Sequence, residues 1–249
     1  MEQAPGNVEL YLKRGNLLRR HGDWALARAD FKRVRKIQPD NEIIDWFDGR
    51  LAVESGQAEE GVRLLDRFLS ANPNHAIALQ NRAQGHLALG QPLLAAGDFA
   101  RVIESSAKPA PALFSANAMA LVQAGPEYFY AASEVVDDGL NRFPTEISLA
   151  EIGVDLSLAQ ARTTRADDLI DRLPATIQTL PQWQMRSALL DCLTGHEEVA
   201  TLWIGSSDAN SANIRQRRNL LEREWIDRLS VNASPENCQQ ASIEILRRR

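Results

Sequence analysis

Histidine, cysteine and paired carboxylates are the side chains through which this chain could do chemistry, and their spacing offers none of the usual arrangements. His21, His75, His86 and His196 lie far apart, with no i, i+4 pair and no carboxylate set around them as on a metalloprotease helix, so no metal site is expected. His21 and His75 fall at helix ends, where an imidazolium at a C-terminus or plain solvation accounts for them, and His86 falls in a packing stripe. Cys192 and Cys238 are too few and too distant in sequence for a disulfide framework or a zinc site. They read as two ordinary thiols, with a single bridge as the alternative. The acidic pairs Glu59-Glu60, Asp137-Asp138 and Asp167-Asp168 sit where a solvated outer helix face explains them better than general acid and base work. There is no nucleophile elbow, phosphate-binding glycine loop or dinucleotide fingerprint. The sequence therefore predicts no catalytic residue, no cofactor and no enzyme. Asn232-Ala233-Ser234 matches a glycosylation acceptor, but Pro235 follows it and Ser234 has another use as a helix cap.

The elements that carry these residues repeat. Gly22, Gly56 and Gly90 are spaced 34 residues apart, and the same step links Gly15 to Gly49 and Pro39 to Pro73. Glycine ends one helix and proline stops the next, so two kinds of punctuation keep one period. From Val8 the first unit runs Tyr11, Gly15, Leu18, Gly22, Ala27, Phe31, Pro39, with small residues where two helices cross closely and large ones filling the space around the crossing. A second unit carries Gly49, Gly56, Gly61, Leu65, Phe68 and Pro73, and a third Leu79, Ala83, Gly90, Ala95, Phe99 and Val102. A slightly longer turn is expected after Ser105 and Ser106, because Pro109 comes late. The fourth unit reads Phe114, Ala118, Leu121, Gly125, Ala132, Val136, Gly139 and Pro144, with a small insertion at Pro126 to Phe129.

This order of aromatic, small, apolar, alanine, aromatic and proline residues resembles the tetratricopeptide repeat (TPR) pattern. The resemblance implies an all-α fold, a right-handed α-solenoid of tandem TPR-like helix-turn-helix repeats with a C-terminal helical cap, whose work is to bind other proteins. The expected organisation is an N-terminal extension over 1–7, four TPR-like repeats over 8–144, divergent TPR-like hairpins over 145–205 and capping helices over 206–249. In the fifth, divergent unit Ala150, Val154 and Ala166 fit the frame, Thr163-Thr164 stand in for the turn glycine, and Pro174 interrupts the second helix. Pro181 to Ile204, with Gly195 at a turn, reads as a sixth. Asn213 to Leu229 forms a helical pattern with Ile214, Leu220, Leu221, Trp225 and Leu229 on one face. A last helix starts at Ser234-Pro235, and Arg247, Arg248 and Arg249 suit its negative end.

In proteins that resemble this family the first helix of each unit lines a concave groove. On that basis the groove positions are Glu9, Leu12, Lys13, Asn16, Arg19 and Arg20, then Ile43, Trp46, Phe47, Arg50 and Val53, then Ile77, Gln80, Asn81 and Gln84. Ser115, Met119 and Val122 follow, with Glu151, Asp155 and Leu158 in the fifth unit. Trp46 and Phe47 beside Arg50, with amides at Asn16 and Asn81, combine aromatic anchor, cation and amide in a way that suits an extended peptide. The partner-binding set is Asn16, Arg20, Trp46, Phe47, Arg50, Asn81 and Gln84, with Trp46 as groove anchor and Trp46 as inter-unit core both open. A well-known subset of the family binds a chaperone's C-terminal carboxylate through lysine, asparagine and arginine at set groove positions, and Asn16 matches the first asparagine. Here Leu12, Phe47 and Ile77 replace three of those residues, which disfavours that clamp. Arg19, Arg20 and Arg50 are suited to an acidic segment.

A formal charge of −5 gives no general basic field for nucleic acid, and no stretch approaches a membrane span. The basic side of the tail, with Arg215, Arg217, Arg218, Arg223 and Arg228, is interleaved with Glu222, Glu224 and Asp227, which favours pairing within the helix. The sequence thus predicts a soluble scaffold or adaptor that binds a protein or peptide partner, with no nucleic acid and no membrane insertion. Its expected location is cytoplasmic, or periplasmic if a signal or anchor has been removed. The alternative is a structural subunit of a homo-oligomer or larger complex, assembling through divergent C-terminal helices that carry Trp183, Trp203 and Trp225.

Overall fold

A computed structural model describes residues 7–195 and 233–247. The chain divides into two compact units, Met1–Pro109 and Ala110–Arg249, and the described residues of both are all-α. The first unit consists of three helical hairpins: α1 (Val8–Arg20) with α2 (Trp24–Ile37), α3 (Ile43–Glu54) with α4 (Ala58–Ala71), and α5 (Ala76–Ala88) with α6 (Pro92–Ser105). Each hairpin's second helix packs on the first helix of the next, and α3 lies beside both α1 and α5. The crossings are close because glycine permits it. A Cβ on Gly15 would stand 2.5 Å from the Phe31 ring, and one on Gly61 would stand 2.8 Å from the backbone nitrogen of Val53. Ala27, Phe31, Val34, Ile44 and Leu51 form a buried cluster around the first two hairpins, with Tyr11, Leu12, Leu18 and Phe47 packed against it.

The turns inside the hairpins share one backbone geometry. Gly22, Gly56 and Gly90 have φ of 84°, 81° and 68°, the left-handed conformation that closes a helix with two returning N–H bonds. Gly22 N–H donates to the Arg19 carbonyl and Asp23 N–H to that of Leu18. In the fifth hairpin the same two bonds run from Ala161 to Leu158 and from Arg162 to Ser157, and Ala161 takes φ 52°. Ala161, not Thr163-Thr164, therefore occupies the glycine slot, and Thr163 already begins the next helix. An alanine Cβ is strained in this conformation, so Ala161→Gly is expected to stabilise the second unit by about 0.5–1 kcal/mol after allowing for glycine's freedom in the unfolded chain. A shift of the urea midpoint upward checks it.

A second device recurs across two periods. Arg14 holds Asp30 through Nε at 2.7 Å and Nη2 at 2.5 Å, and Arg82 holds Asp98 in the same way at 2.8 and 2.5 Å while its Nη1 reaches Asp66 at 2.7 Å. Both acceptors are buried, and the planar guanidinium suits a two-point grip on a carboxylate. In the hairpin between them the equivalent positions are Asp48 and Leu64, so the pair is missing. Asp48 turns instead to Arg35 at 3.3 Å. Burial pushes its carboxyl above the ordinary value, against the lowering effect of Arg35.

The second unit contains α7 (Pro111–Ala124), a short 3-10 turn at Pro126–Tyr128 where the insertion was expected, α8 (Phe129–Arg142), α9 (Ile147–Ala159), α10 (Thr163–Asp171), α11 (Ala175–Gln178), α12 (Pro181–Leu193) and α13 (Pro235–Arg247). Pro174 separates α10 from α11, as predicted, and Ser234 accepts the Asn237 N–H at 3.3 Å as the cap of α13. The two cysteines are not free thiols. Cys192 on α12 and Cys238 on α13 form a disulfide across a separation of 46 residues, because α13 docks against α9 and α12 and brings the two sulfurs together in a fully buried cluster. Trp183 is 1% exposed with the Arg186 guanidinium over its ring, and so belongs to the core of this unit. Trp203, Trp225, the helical pattern 213–229, the second helix of the sixth unit and His196 lie outside the described residues.

The docking of α13 also changes the reading of the groove positions in this unit. Val122, Asp155 and Leu158 are buried, at 0%, 4% and 1% exposure. Val122 shares a cluster with Leu246 and Ile243 of α13, Leu158 shares one with Ala241 and Ile245, and Asp155 is gripped by Arg186 at 2.7 and 2.9 Å. Val122 and Leu158 are thus covered by α13, and Asp155 is taken up by Arg186 of α12.

Candidate partner-binding cleft

The first unit carries an open polar cleft of about 510 Å³, lined by Asn16, Arg19, Arg20, Arg50 and Glu54. Its residues come from the C-terminal halves of α1 and α3. Arg19 and Arg20 close α1, where cations complement the negative helix end. Glu54 closes α3, where a carboxylate meets the same negative end unfavourably and needs partners. It has two. Arg19 Nη1 donates to Glu54 Oε1 at 2.6 Å and also to Oε2, and Arg50 Nε, one turn earlier on α3, donates to Oε1 at 3.0 Å. Arg19 Nε donates in turn to Asn16 Oδ1 at 3.1 Å. The Arg19 side chain is 5% exposed, against 31% for Arg50 and 36% for Glu54. Arg20 is exposed and forms no hydrogen bond or ion pair among the described residues. Three guanidinium groups thus face one carboxylate, and the cleft is locally positive on a chain whose net charge is −5.

The expected partner-binding residues fall into three groups. Asn16, Arg20 and Arg50 line the cleft together. Trp46 and Phe47 are half-buried and belong to a row of rings: Phe47 lies 5.7 Å from Phe31 and 4.8 Å from Trp46, which in turn lies 6.0 Å from Phe68 and 4.8 Å from His75. The Trp46 indole N–H is closed off from solvent without an acceptor, so this tryptophan has a packing role between hairpins, and neither ring lines the cleft. Asn81 and Gln84 stand on α5, outside the cleft. Gln84 is exposed, and the Asn81 side-chain nitrogen is buried without an acceptor.

His75 stands at the start of α5, not at a helix C-terminus, and its Nδ1 accepts the Ala78 N–H at 3.1 Å. His86 is 8% exposed and paired with Gln91 at 2.9 Å, a packing role. Glu54 was missed in the sequence, although its i, i+4 relation to Arg50 was visible there. Its reach to Arg19, one repeat back, requires the hairpins to be stacked first.

The tetratricopeptide repeat family model matches residues 49–111. Among solved structures, pilF of Pseudomonas aeruginosa is similar at 13% identity and a TM-score of 0.64, over 89% of this chain and 96% of that one. PilW, described as a widely conserved type IV pilus biogenesis factor, aligns at 13% identity and a TM-score of 0.59, over 84% of this chain and 97% of that one. A tetratricopeptide repeat protein from Parabacteroides merdae aligns at 18% identity and a TM-score of 0.52, over 92% and 86%. No curated protein matches the sequence. At these identities the structural likeness speaks for the fold.

Proposed function

We propose that this chain, a tetratricopeptide-repeat protein, is a protein–protein interaction adaptor that holds a partner segment along α1 and α3 of its first unit. The observation that carries the reading is the open cleft at Asn16, Arg20 and Arg50, with cations that are only partly neutralised. Stacked hairpins bind through surfaces built from one helix per repeat. In the second unit the corresponding positions Val122, Asp155 and Leu158 are taken up by α13 and Arg186, so the first unit is the better candidate. The chain needs no chemistry of its own for this role. Among the described residues no helix is long and apolar enough to cross a membrane. The buried Cys192–Cys238 disulfide favours an oxidising compartment, such as the periplasm, over the reducing cytoplasm.

Arg20→Ala with Arg50→Ala tests the adaptor reading, because neither arginine is buried and the variant should keep its circular dichroism and melting temperature. In parallel affinity captures from the source cell, a partner held by the wild type is expected to be lost or weakened by roughly 1–3 kcal/mol in the variant. Equal retention of every captured protein would remove the cleft from the interface.

A further inference from the structure

We infer that Glu54 is an internal stand-in for the carboxylates of an acidic peptide segment, which would displace it from Arg19 and Arg50 on binding. The inference rests on reading the cleft as the partner site, and adds the chemistry of the ligand and the group it must replace. Glu54 occupies the C-terminal residue of α3, where the helix itself disfavours a negative charge. What holds it is Arg19, a guanidinium almost wholly withdrawn from water that requires an anion beside it. The anion need not be Glu54. Its side chain and that of Arg50 lie on the open side of the cleft, within reach of an arriving carboxylate, while Arg19 is fixed behind them by Asn16. Because the Asn16 oxygen is engaged by Arg19, its amide nitrogen remains as a donor at the wall of the cleft. Arg20 adds a cation with no partner among the described residues.

The two contacts already made to Glu54, from Arg19 and from Arg50, fit carboxylate chemistry. An acidic peptide is favoured over nucleic acid because the chain's net charge of −5 opposes a dense phosphate polyanion, whereas a few carboxylates are drawn by the local excess of cation.

The test is fluorescence anisotropy of a labelled hexaglutamate peptide, with hexalysine and a single-stranded oligonucleotide of equal charge as controls, against the whole chain and its variants. Wild type is expected to bind hexaglutamate in preference to both controls. Glu54→Gln, which keeps the shape and removes the competing charge, is expected to bind about three- to tenfold more tightly, and Arg20→Ala at least about threefold more weakly. Melting temperatures establish that both variants fold. Should Glu54→Gln fail to fold, Glu54→Asp, which withdraws the carboxylate from Arg19, is expected to tighten binding in the same direction. Wild-type binding with equal or weaker binding by the Glu54 variants would overturn the inference while leaving the cleft as a partner site, with Glu54 as a residue that positions its arginines. Absence of hexaglutamate binding in wild type and Glu54 variants alike would overturn the inference and leave the cleft to the capture experiment above, and preference for the oligonucleotide would overturn the assignment to an acidic peptide.

Discussion

Replacing Cys192 and Cys238 together by serine is expected to lower the stability of the second unit by about 4 kcal/mol. That figure follows from the chain-entropy cost of closing a loop across a separation of 46 residues. The native contacts add to it, since both cysteines are fully buried between α12 and α13, where serine hydroxyls bring a desolvation cost. α13 also covers α9, so its loosening would expose Leu158, Ile245 and Leu246. Urea unfolding of the oxidised, reduced and doubly substituted chains, followed by circular dichroism and tryptophan fluorescence, measures the effect. Similar midpoints in all three would mean that α13 is held by packing alone. The first unit, which has no cysteine, should unfold at the same denaturant concentration in every case if the units are independent.

The second large effect is expected at Arg82. Truncation to alanine leaves the Asp98 carboxylate, 4% exposed, without its two-point partner, and removing one member of a buried pair costs about 3–5 kcal/mol. The interest lies in the rescue. Leu64 already occupies the position of Asp98 one period earlier, so the hairpin tolerates an apolar residue there. Arg82→Met combined with Asp98→Leu should therefore recover most of the loss, and Asp66, which is half exposed, returns to water at little cost. A double-mutant cycle read by urea midpoints gives both numbers. Because methionine keeps an aliphatic stem, a double variant as unstable as Arg82→Ala alone would show that the loss comes from the charge-assisted bonds of the pair itself rather than from an unpaired charge.

The repeat was legible in the sequence because its punctuation depends on residue type. A positive φ at Gly22, Gly56 and Gly90 selects glycine, and helix arrest at Pro39 and Pro73 selects proline, so the period survives in the letters. Ala161 shows the limit of that code, since the backbone keeps the conformation when the glycine is gone. The Arg14–Asp30 and Arg82–Asp98 pairs were present as matching residues two periods apart, but only the packed hairpin shows that they meet. The sequence left a single bridge as the alternative to two thiols and could not choose it, because the approach of Cys192 to Cys238 depends on where α13 docks. The same docking explains why Val122, Asp155 and Leu158 were read as groove residues: the repeat frame says which helix face is turned inward, and not that a later helix covers it.

For the candidate site, the repeat resemblance was enough to bring Asn16, Arg20 and Arg50 to one cleft. It could not distribute Trp46 and Phe47 between packing and exposure, because both lie at the edge of a face and their rings are drawn into the row that runs from Phe31 to His75. Glu54 escaped for a further reason. A glutamate at a helix end is unremarked in sequence, and its contact with Arg19 exists only between repeats.

The measurement that bears most directly on the account is the side-chain Nε–H NMR spectrum of the arginines during titration with an acidic peptide at low and moderate salt. Arg19, Arg20 and Arg50 are expected to shift saturably and together, while Arg14 and Arg82, locked to Asp30 and Asp98, stay in place. Shifts spread evenly over all the arginines, or confined to residues outside α1 and α3, would contradict the assignment of the first unit's cleft as the place where a partner is held.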